Sequence, residues 1–324
     1  MSASQKSLAL PAGASAAHSA SIRAGLAAAA IGAVLFSGKA IVAKLMYRYQ
    51  VDAVMVLTLR MILAVPLFMA IGWWQSRQLP ALSWADRGRI LMLGFIGYYL
   101  SSFLDFLGLQ YITAGLERLI LFLTPSFVLL ATALGFKRAI SKRQWISLAL
   151  AYAGIVLVLA HDLDVGGNRV WLGALLVLGS ALSYAIYLIA SGELVSRIGS
   201  LRLVSYAMCV STVCSVAQYV LLGRPLAEVV QQPAPVMWLS VINAVFCTVL
   251  PVSLTMMAVA RIGAPMASQA GMLGPVSTVF LGFWLLGEPI TAVQLLGSAL
   301  VMGGIYLLSP RTRRDPAAQG STKL

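Results

Sequence analysis

The chain has 324 residues, of which 60% are hydrophobic and 10% are charged, and its mean hydropathy is +0.89. Soluble domains are about 45–50% apolar and about 25% charged. This composition therefore excludes an ordinary water-soluble enzyme, a disordered tail protein and a secreted disulfide scaffold. The formal net charge of +13 comes in short clusters between apolar runs, without the continuous basic stripe that nucleic-acid binding needs. The sequence predicts an all-α membrane protein and no nucleic-acid partner.

Ten apolar stretches are long enough to cross a lipid bilayer. A helix needs about 20 residues to span about 30 Å of hydrocarbon. The predicted spans are 24–46, 53–74, 89–110, 115–135, 144–160, 171–191, 203–222, 236–257, 265–286 and 291–309. Residues 1–23 are predicted to be a flexible tail, and residues 310–324 a second tail.

The basic residues of the short loops predict the orientation. With the N-terminus in the cytoplasm, ten Lys and Arg residues lie in inner loops and three in outer loops. Cytoplasmic loops carry such an excess of Lys and Arg. We therefore expect both termini on the cytoplasmic side.

The two halves of the chain resemble each other. Residues 114–159 align with residues 264–309 without a gap at an offset of 150, and 10 of 46 positions are identical. The repeat contains five spans, so its second copy enters the membrane from the opposite side. Inverted repeats of this kind occur in secondary transporters, with the substrate site between the repeats. We expect two inverted five-helix repeats, over 24–160 and 171–309.

Two matched prolines lie inside this repeat. Pro125 and Pro275 are predicted to kink or weaken the fourth helix of each copy at equivalent depth. A hinge for alternating access and a static kink are both consistent with the pattern.

The residues also resemble a known family, the drug/metabolite transporter superfamily, and within it proteins built from two EamA-type domains. The resemblance covers about residues 24–309 and rests on the runs Phe36-Ser37-Gly38, Gly108-Leu109-Gln110-Tyr111-Ile112-Thr113-Ala114 and Leu286-Gly287-Glu288-Pro289-Ile290-Thr291, and on Lys44, Arg60, Pro125 and Pro275. Similar proteins are bacterial inner-membrane exporters or permeases for amino acids and other small metabolites. The resemblance thus implies a multi-pass secondary transporter in that membrane. Lys137 departs from the family pattern, which often has Glu at this position.

Six charged residues lie within the first four predicted spans. Apart from Arg89, which is the first residue of span three and is counted with the inner loop, they are Lys39, Lys44, Arg60, Asp105, Glu117 and Arg118. An unpaired charge at mid-bilayer costs about 2.5–3.5 kcal/mol, so most of them must pair, snorkel or face a wet cavity. Lys44, near the outer end of its span, is predicted to snorkel. Asp105 is predicted to meet Arg118 or Glu117 across the hairpin of spans three and four, and a structural Asp105–Arg118 bridge is the simplest interpretation.

The surplus of positive charge suggests a substrate site. Lys39 and Arg60 have few acidic partners, and we hypothesise that they receive a carboxylate or another anionic group of a small-molecule substrate. Two alternatives remain open: Arg60 bonds to backbone carbonyls while Lys39 lines a wet vestibule, or Asp105 or Glu117 carries protons as the coupling ion.

Helical spacing adds polar and aromatic candidates. Tyr98, Ser101 and Asp105 recur at i, i+3 and i+7 and share one side of span three. Tyr184 and Tyr187 share a face of span six, and Gln269 is a polar residue early in span nine. Aromatic residues in such positions are more often packing or interfacial-belt residues than ligands of a substrate.

The remaining motifs speak against catalysis. The sequence contains no HExxH, GxSxG, paired-Asp or Walker pattern, and no histidine falls in a predicted span. The cysteines Cys209, Cys214 and Cys247 lie in apolar stretches and are predicted to be core residues. We expect no catalytic residue, cofactor or metal. A channel or structural subunit is the main alternative to a transporter and a membrane-embedded enzyme the weaker one. The substrate and the oligomeric state are not predicted.

Overall fold

The computed structural model describes residues 12–77, 80–135, 137 and 139–308, and every regular element in this part of the chain is a helix. We number the ten long helices α1 to α10. They are Ala12–Tyr47, Ala53–Ser76, Trp84–Leu109, Ala114–Gly135, Lys142–Gly166, Arg169–Ile198, Ser200–Leu221, Ala234–Gly263, Gln269–Leu286 and Ala292–Leu308. A short helix, Ala227–Val230, precedes α8. We call α1–α5 the first half and α6–α10 the second half.

Nine of these helices are long and apolar enough to cross a membrane within the described residues. The exception is α10, whose 17 residues extend about 25 Å at about 1.5 Å per residue. The positions of the predicted spans agree with the helices, but several helices run further. For example, α6 continues to Ile198 through Glu193 and Arg197, which are polar enough to leave the hydrocarbon. Residues 12–23, predicted as tail, continue α1, and the predicted tails at 1–11 and 310–324 lie outside the described residues.

Polar side chains set where several helices begin. Asp52, Ser83 and Thr113 precede α2, α3 and α4, and each accepts a hydrogen bond from a backbone amide in the first turn. Ser141 precedes α5 and forms a reciprocal capping box with Gln144. Such caps satisfy amides that the helix itself leaves free.

Tryptophan marks the two ends of the helix bundle. All seven tryptophans are between 51% and 85% exposed. They lie within a few residues of a helix end: Trp73, Trp74, Trp84 and Trp145 at one end of the bundle, and Trp171, Trp238 and Trp284 at the other. Amphipathic rings at two levels are typical of the two interfaces of a bilayer.

The two halves pack on each other in the same way. In the first half, α1 packs on α8 and α9, and in the second half α6 packs on α3 and α4. Helices α2 and α7, α4 and α9, and α5 and α10 also contact each other across the halves. Each helix of the first half corresponds to the helix five places later in the second half. When every helix is replaced by its counterpart, the same set of contacts results.

Glycines allow a close approach of the backbones of α5 and α10. A methyl group added at Gly154 would lie 2.6 Å from the Gly297 carbonyl oxygen, and one added at Gly304 would lie 2.7 Å from that of Ser147. Small residues allow helix backbones to approach in this way in membranes. Gly154 and Gly304 are 150 residues apart, the offset of the sequence repeat.

Irregular turns also occur at matched positions. A π-helical turn occupies Phe95–Leu100 in α3 and another occupies Val245–Val249 in α8, so the two begin 150 residues apart. Helix α4 is interrupted between Leu121 and Thr124, and α9 is interrupted at Met272. Single π turns inside α-helices are frequent at functional sites.

The helix interruptions lie beside the two prolines predicted to kink α4 and α9. Pro125 has no N–H to donate to the Leu121 carbonyl. The Thr124 hydroxyl donates to that carbonyl at 2.7 Å instead. Pro275 follows the interruption in α9 at the same distance along the chain.

Candidate functional site

A cavity of about 520 Å³ lies between the two halves. Small-molecule sites have volumes of about 300–1,000 Å³. Five pairs of lining residues are 150 positions apart, one member in each half. They are Tyr98/Thr248, Ser102/Val252, Asp105/Thr255, Leu121/Gly271 and Phe122/Met272. Matched positions of the two halves therefore enclose the cavity, and the π turns contribute Tyr98 and Thr248.

Lys39 forms an ion cluster with two acids at one end of the cavity. We call this its inner end; it is the end farther from Ala29, Val259 and Ala267. Its Nζ contacts Asp105 Oδ2 and lies 3.3 Å from Glu117 Oε1. All three side chains are buried. A buried ammonium is tolerated when carboxylates compensate its charge, so these contacts explain how α1 carries a lysine through the membrane.

Arg118 makes a different set of contacts. Its Cζ lies 4.9 Å from the Phe36 ring centroid and 5.5 Å from that of Phe122. A methyl group added at Gly274 in α9 would lie 2.6 Å from its Nη2. Its buried Nε has no hydrogen-bond partner, and none of the described carboxylates lies within 4.0 Å of the guanidinium. Arg118 thus lines the cavity with donors that remain available.

Arg60 reaches across to the second half. Its Nε donates to Thr248 Oγ1 at 2.9 Å, and its Cζ lies 5.2 Å from the Phe106 ring centroid. The Thr248 hydroxyl in turn donates to the Asn243 carbonyl across the π turn of α8 at 2.8 Å. The π turn therefore positions the hydroxyl that holds Arg60.

Three tyrosines form an aromatic wall. Tyr98 meets Tyr187 edge-on with centroids 5.1 Å apart, and Tyr184 stacks on Tyr187 at 5.5 Å. Gly97 lies against the Tyr187 ring, where an added methyl group would come within 2.3 Å of Cγ. Ser101 Oγ and Ser180 Oγ are 3.1 Å apart beside this wall.

Most of the predicted site residues meet at the cavity. Its lining includes Lys39, Arg60, Tyr98, Ser101, Asp105, Arg118, Pro125 and Tyr184. Glu117 lies behind Lys39, and Tyr187 lies behind Tyr98 and Tyr184. The exposed Gln269 and the buried Pro275 are not among the lining residues.

One predicted contact is wrong. Asp105 pairs with Lys39, and the Asp105–Arg118 bridge is not formed. Lys39 reaches both acids from α1 because it lies at the same depth in the bundle as they do. Arg118 therefore packs against the Phe36 and Phe122 rings instead. Of the three cations that line the cavity, the two without a carboxylate among the described residues are therefore Arg60 and Arg118, not Lys39 and Arg60.

Several lining residues were missed by sequence reasoning, among them Phe122, Thr248 and Thr255. A usable signal was present. Adding the repeat offset to Tyr98 and Asp105 leads to Thr248 and Thr255.

The cavity extends from the ion cluster towards the bundle end that carries Ala29, Val259 and Ala267. Polar contacts join the helices at the opposite end. Glu288 Oε1 accepts from Lys44 Nζ at 2.7 Å, and both Glu288 carboxylate oxygens lie 3.2 Å from the Ala114 amide at the start of α4. We call Lys44, Ala114 and Glu288 the Glu288 clasp. Lys44, predicted to snorkel, is thus paired with an acid of the second half.

Comparison with known proteins agrees with this two-part structure. A model of the EamA-like transporter family matches residues 23–160 and again residues 171–309. The chain belongs to the EamA-like transporter family. It is a multi-pass membrane protein with two EamA repeats, and its family consists of transporters.

Named relatives of this EamA-like protein point the same way. An uncharacterized transporter of Bacillus subtilis, YcbK, is 32% identical over 284 residues, covering 86% of this chain and 89% of the relative. A probable terminal-alkyne amino-acid exporter of Streptantibioticus cattleyicolor is 26% identical over 220 residues, covering 66% of this chain and 71% of the relative. A crystal structure matches with a TM-score of 0.62 at 16% identity, over 90% of this chain and 96% of that chain, which shows the fold alone.

Proposed function

We propose that this EamA-like protein is a secondary transporter of small metabolites that carry a carboxylate, such as amino acids. It moves them by alternating access between two inverted five-helix repeats and performs no covalent chemistry. The observation that carries the proposal is the cavity itself. It is enclosed by matched positions of both halves and contains arginines with available donors at one end.

The fit to an amphipathic solute comes from the distribution of side chains. Arg118 and Arg60 offer planar guanidinium groups, which bind carboxylates through paired hydrogen bonds. Phe36, Phe122 and Tyr184 offer apolar surface in the same cavity. A solute with a carboxylate at one end and an apolar body matches both.

We place the protein in the bacterial inner membrane with both termini and the mouth of the cavity on the cytoplasmic side. The excess of basic residues in one set of loops supports this orientation. In this orientation the cavity extends towards the cytoplasm, and the Glu288 clasp joins the helices at the opposite end. A substrate would therefore enter the cavity from inside the cell. This arrangement suits export, the activity named for the Streptantibioticus relative.

Protons are the coupling ion of the proposal. Asp105 and Glu117 share one ammonium, so the pair has room for a proton, and acids in membrane helices mark proton relays. Dependence of flux on a pH gradient tests this part separately.

The deciding experiment is flux of labelled amino acids and other carboxylates into liposomes that contain the purified full chain, with and without a pH gradient. We expect saturable uptake that Arg118→Ala reduces at least about tenfold, since a charge-assisted hydrogen bond contributes about 1.5–3 kcal/mol. Arg89→Ala, which removes an exposed arginine outside the cavity, is the matched control. Unsaturable conductance indicates a channel, and saturable flux that is unchanged in both Arg118→Ala and Arg60→Ala rejects the site.

A further inference from the structure

The charges at the inner end of the cavity do not balance. Lys39, Arg60 and Arg118 are three cations, Asp105 and Glu117 are two acids, and each is at most 6% exposed. With all five ionised, one positive charge is left over. A buried charge without a partner is costly, so an anion bound in the cavity would stabilise this cluster.

Lys39 already forms ion pairs with both acids of this cluster. Its Nζ contacts Asp105 and lies 3.3 Å from Glu117. A compact ammonium is also the group that a zwitterionic amino acid presents to carboxylates. The place where a substrate ammonium would bind is therefore filled by a side chain of the protein.

The arginines are placed to receive the anion close to this ammonium. The Phe36 ring centroid lies 4.9 Å from Arg118 Cζ and 5.5 Å from Lys39 Nζ. The Phe106 ring centroid lies 5.2 Å from Arg60 Cζ and 5.6 Å from Lys39 Nζ. The three cations thus surround two aromatic rings, and only Lys39 has carboxylate partners among the described residues.

We infer that the cavity selects solutes of net negative charge and that Lys39 determines this selectivity by acting as an internal ammonium. The inference rests on the proposed function and narrows its substrates from carboxylates in general, amino acids included, to solutes whose net charge is negative. A monoanion neutralises the cluster when both acids are ionised, and a dianion does so when the acids share a proton. A zwitterion leaves the positive surplus in either case.

The test compares 3-phenylpropanoate with phenylalanine, which differ only in the amino group. Binding to the detergent-solubilised full chain is measured by calorimetry at neutral pH, because leak of protonated 3-phenylpropanoate through liposomes would add a non-saturable background to its flux and distort the comparison of the two solutes. We expect the anion to bind at least about tenfold more tightly than the zwitterion, the effect of about one charge-assisted hydrogen bond.

Lys39→Met provides the decisive variant. It removes the internal ammonium and frees Asp105 and Glu117, so phenylalanine is expected to bind more tightly than 3-phenylpropanoate. Lys39→Arg retains a cation and the original preference, and Arg89→Gln, outside the cavity, changes neither affinity. If Lys39→Met does not fold, Asp105→Asn answers the question: selective weakening of phenylalanine binding shows that the acids receive the substrate ammonium and overturns the inference.

A failure of this inference and a failure of the proposed function give different results. Equal or tighter binding of phenylalanine to the unmodified protein overturns the inference and leaves the proposed function standing. Absence of binding of both solutes, together with flux that Arg118→Ala does not change, rejects the carboxylate site and the inference with it.

Discussion

The two halves of the chain share a packing scheme but differ in the side chains that they present to the cavity. At matched lining positions, the first half has Tyr98 and Asp105 where the second half has Thr248 and Thr255. All five buried charged side chains at the inner end of the cavity come from α1–α4. The π turns that begin at Phe95 and Val245, by contrast, occur in both halves at the same offset.

The comparison separates what builds the cavity from what recognises a solute. Close helix contacts and π turns define the shape of the cavity, and both halves contain them because the sequence is repeated. Recognition of a charged group requires an asymmetric set of side chains, and one half is enough to supply it. Substitutions at matched positions should therefore have equal effects where the role is packing and unequal effects where the role is chemical.

The largest difference is expected between Asp105→Ala and Thr255→Ala. Removing the Asp105 carboxylate leaves Lys39 buried with Glu117 alone, and breaking a buried ion pair costs about 3–5 kcal/mol. Removing the Thr255 hydroxyl costs about 1 kcal/mol or less. Thermal unfolding in detergent measures both. Equal losses of stability would show that the ion cluster contributes nothing that a hydroxyl does not.

The glycines at the α5–α10 contact are expected to behave alike. Gly154→Ala and Gly304→Ala each place a methyl group within 2.7 Å of a carbonyl oxygen of the facing helix. Overpacking of this kind costs about 1–3 kcal/mol, and we expect the two unfolding temperatures to fall by similar amounts. Gly303→Ala is the control, because nothing lies within 4 Å of the added methyl group. A large loss in only one of the pair would contradict equivalent packing.

The two ends of the bundle give a third contrast. The Gly287-Glu288 pair of the clasp aligns with Lys137-Arg138 in the first half, which has no carboxylate to offer to a helix start. Glu288→Gln keeps an acceptor for the Ala114 amide and removes the charge that pairs with Lys44. If the substitution destabilises the conformation that contains the clasp by about 1 kcal/mol, the ratio of this conformation to one without the clasp changes about fivefold.

Spin labels at Tyr49 and Trp284, both exposed near the clasp, measure this shift after the native cysteines are replaced. We expect a longer distance component to increase in Glu288→Gln. Arg89→Gln, which removes an exposed pair with Glu193 at the opposite end, serves as control. An unchanged distance distribution would mean that the clasp does not hold that end closed.

The sequence alone predicts much of this fold for a physical reason. Runs of about 20 apolar residues are long enough to cross a bilayer as helices, and the matched Pro125 and Pro275 indicate where α4 and α9 are interrupted. The partner of Lys39 was harder to predict. Depth along a helix places Asp105 near several cations, but the choice between Lys39 and Arg118 depends on helix rotation and on the Phe36 and Phe122 rings. Apolar spans have little periodicity from which to read that rotation.

The smallest expected effect concerns the contact of α2 with α7, which uses different chemistry at its two ends. Asp52, before α2, binds Arg224 through contacts of 2.9 and 2.5 Å. Arg202, 150 residues after Asp52, donates to Ser76 Oγ and the Pro80 carbonyl at 3.1 and 3.0 Å. Only the first of these contacts contains an acid, so only that one should respond to low pH.

Partial burial by itself raises the pKa of the Asp52 carboxyl, but hydrogen bonds from the Arg224 guanidinium and the Met55 amide outweigh it and hold the pKa below its ordinary value. The resulting stability is present above the unfolded pKa of about 3.9 and is lost as the pH falls through the lower folded value. Both side chains are about one-third exposed, so Asp52→Asn should cost about 0.2–1 kcal/mol at neutral pH. Unfolding temperatures of the two proteins should converge on acidification, whereas the loss in Arg202→Gln should stay constant over the same range. A difference between Asp52→Asn and the unmodified chain that persists at acid pH would show that the carboxylate charge plays no part in joining α2 to α7.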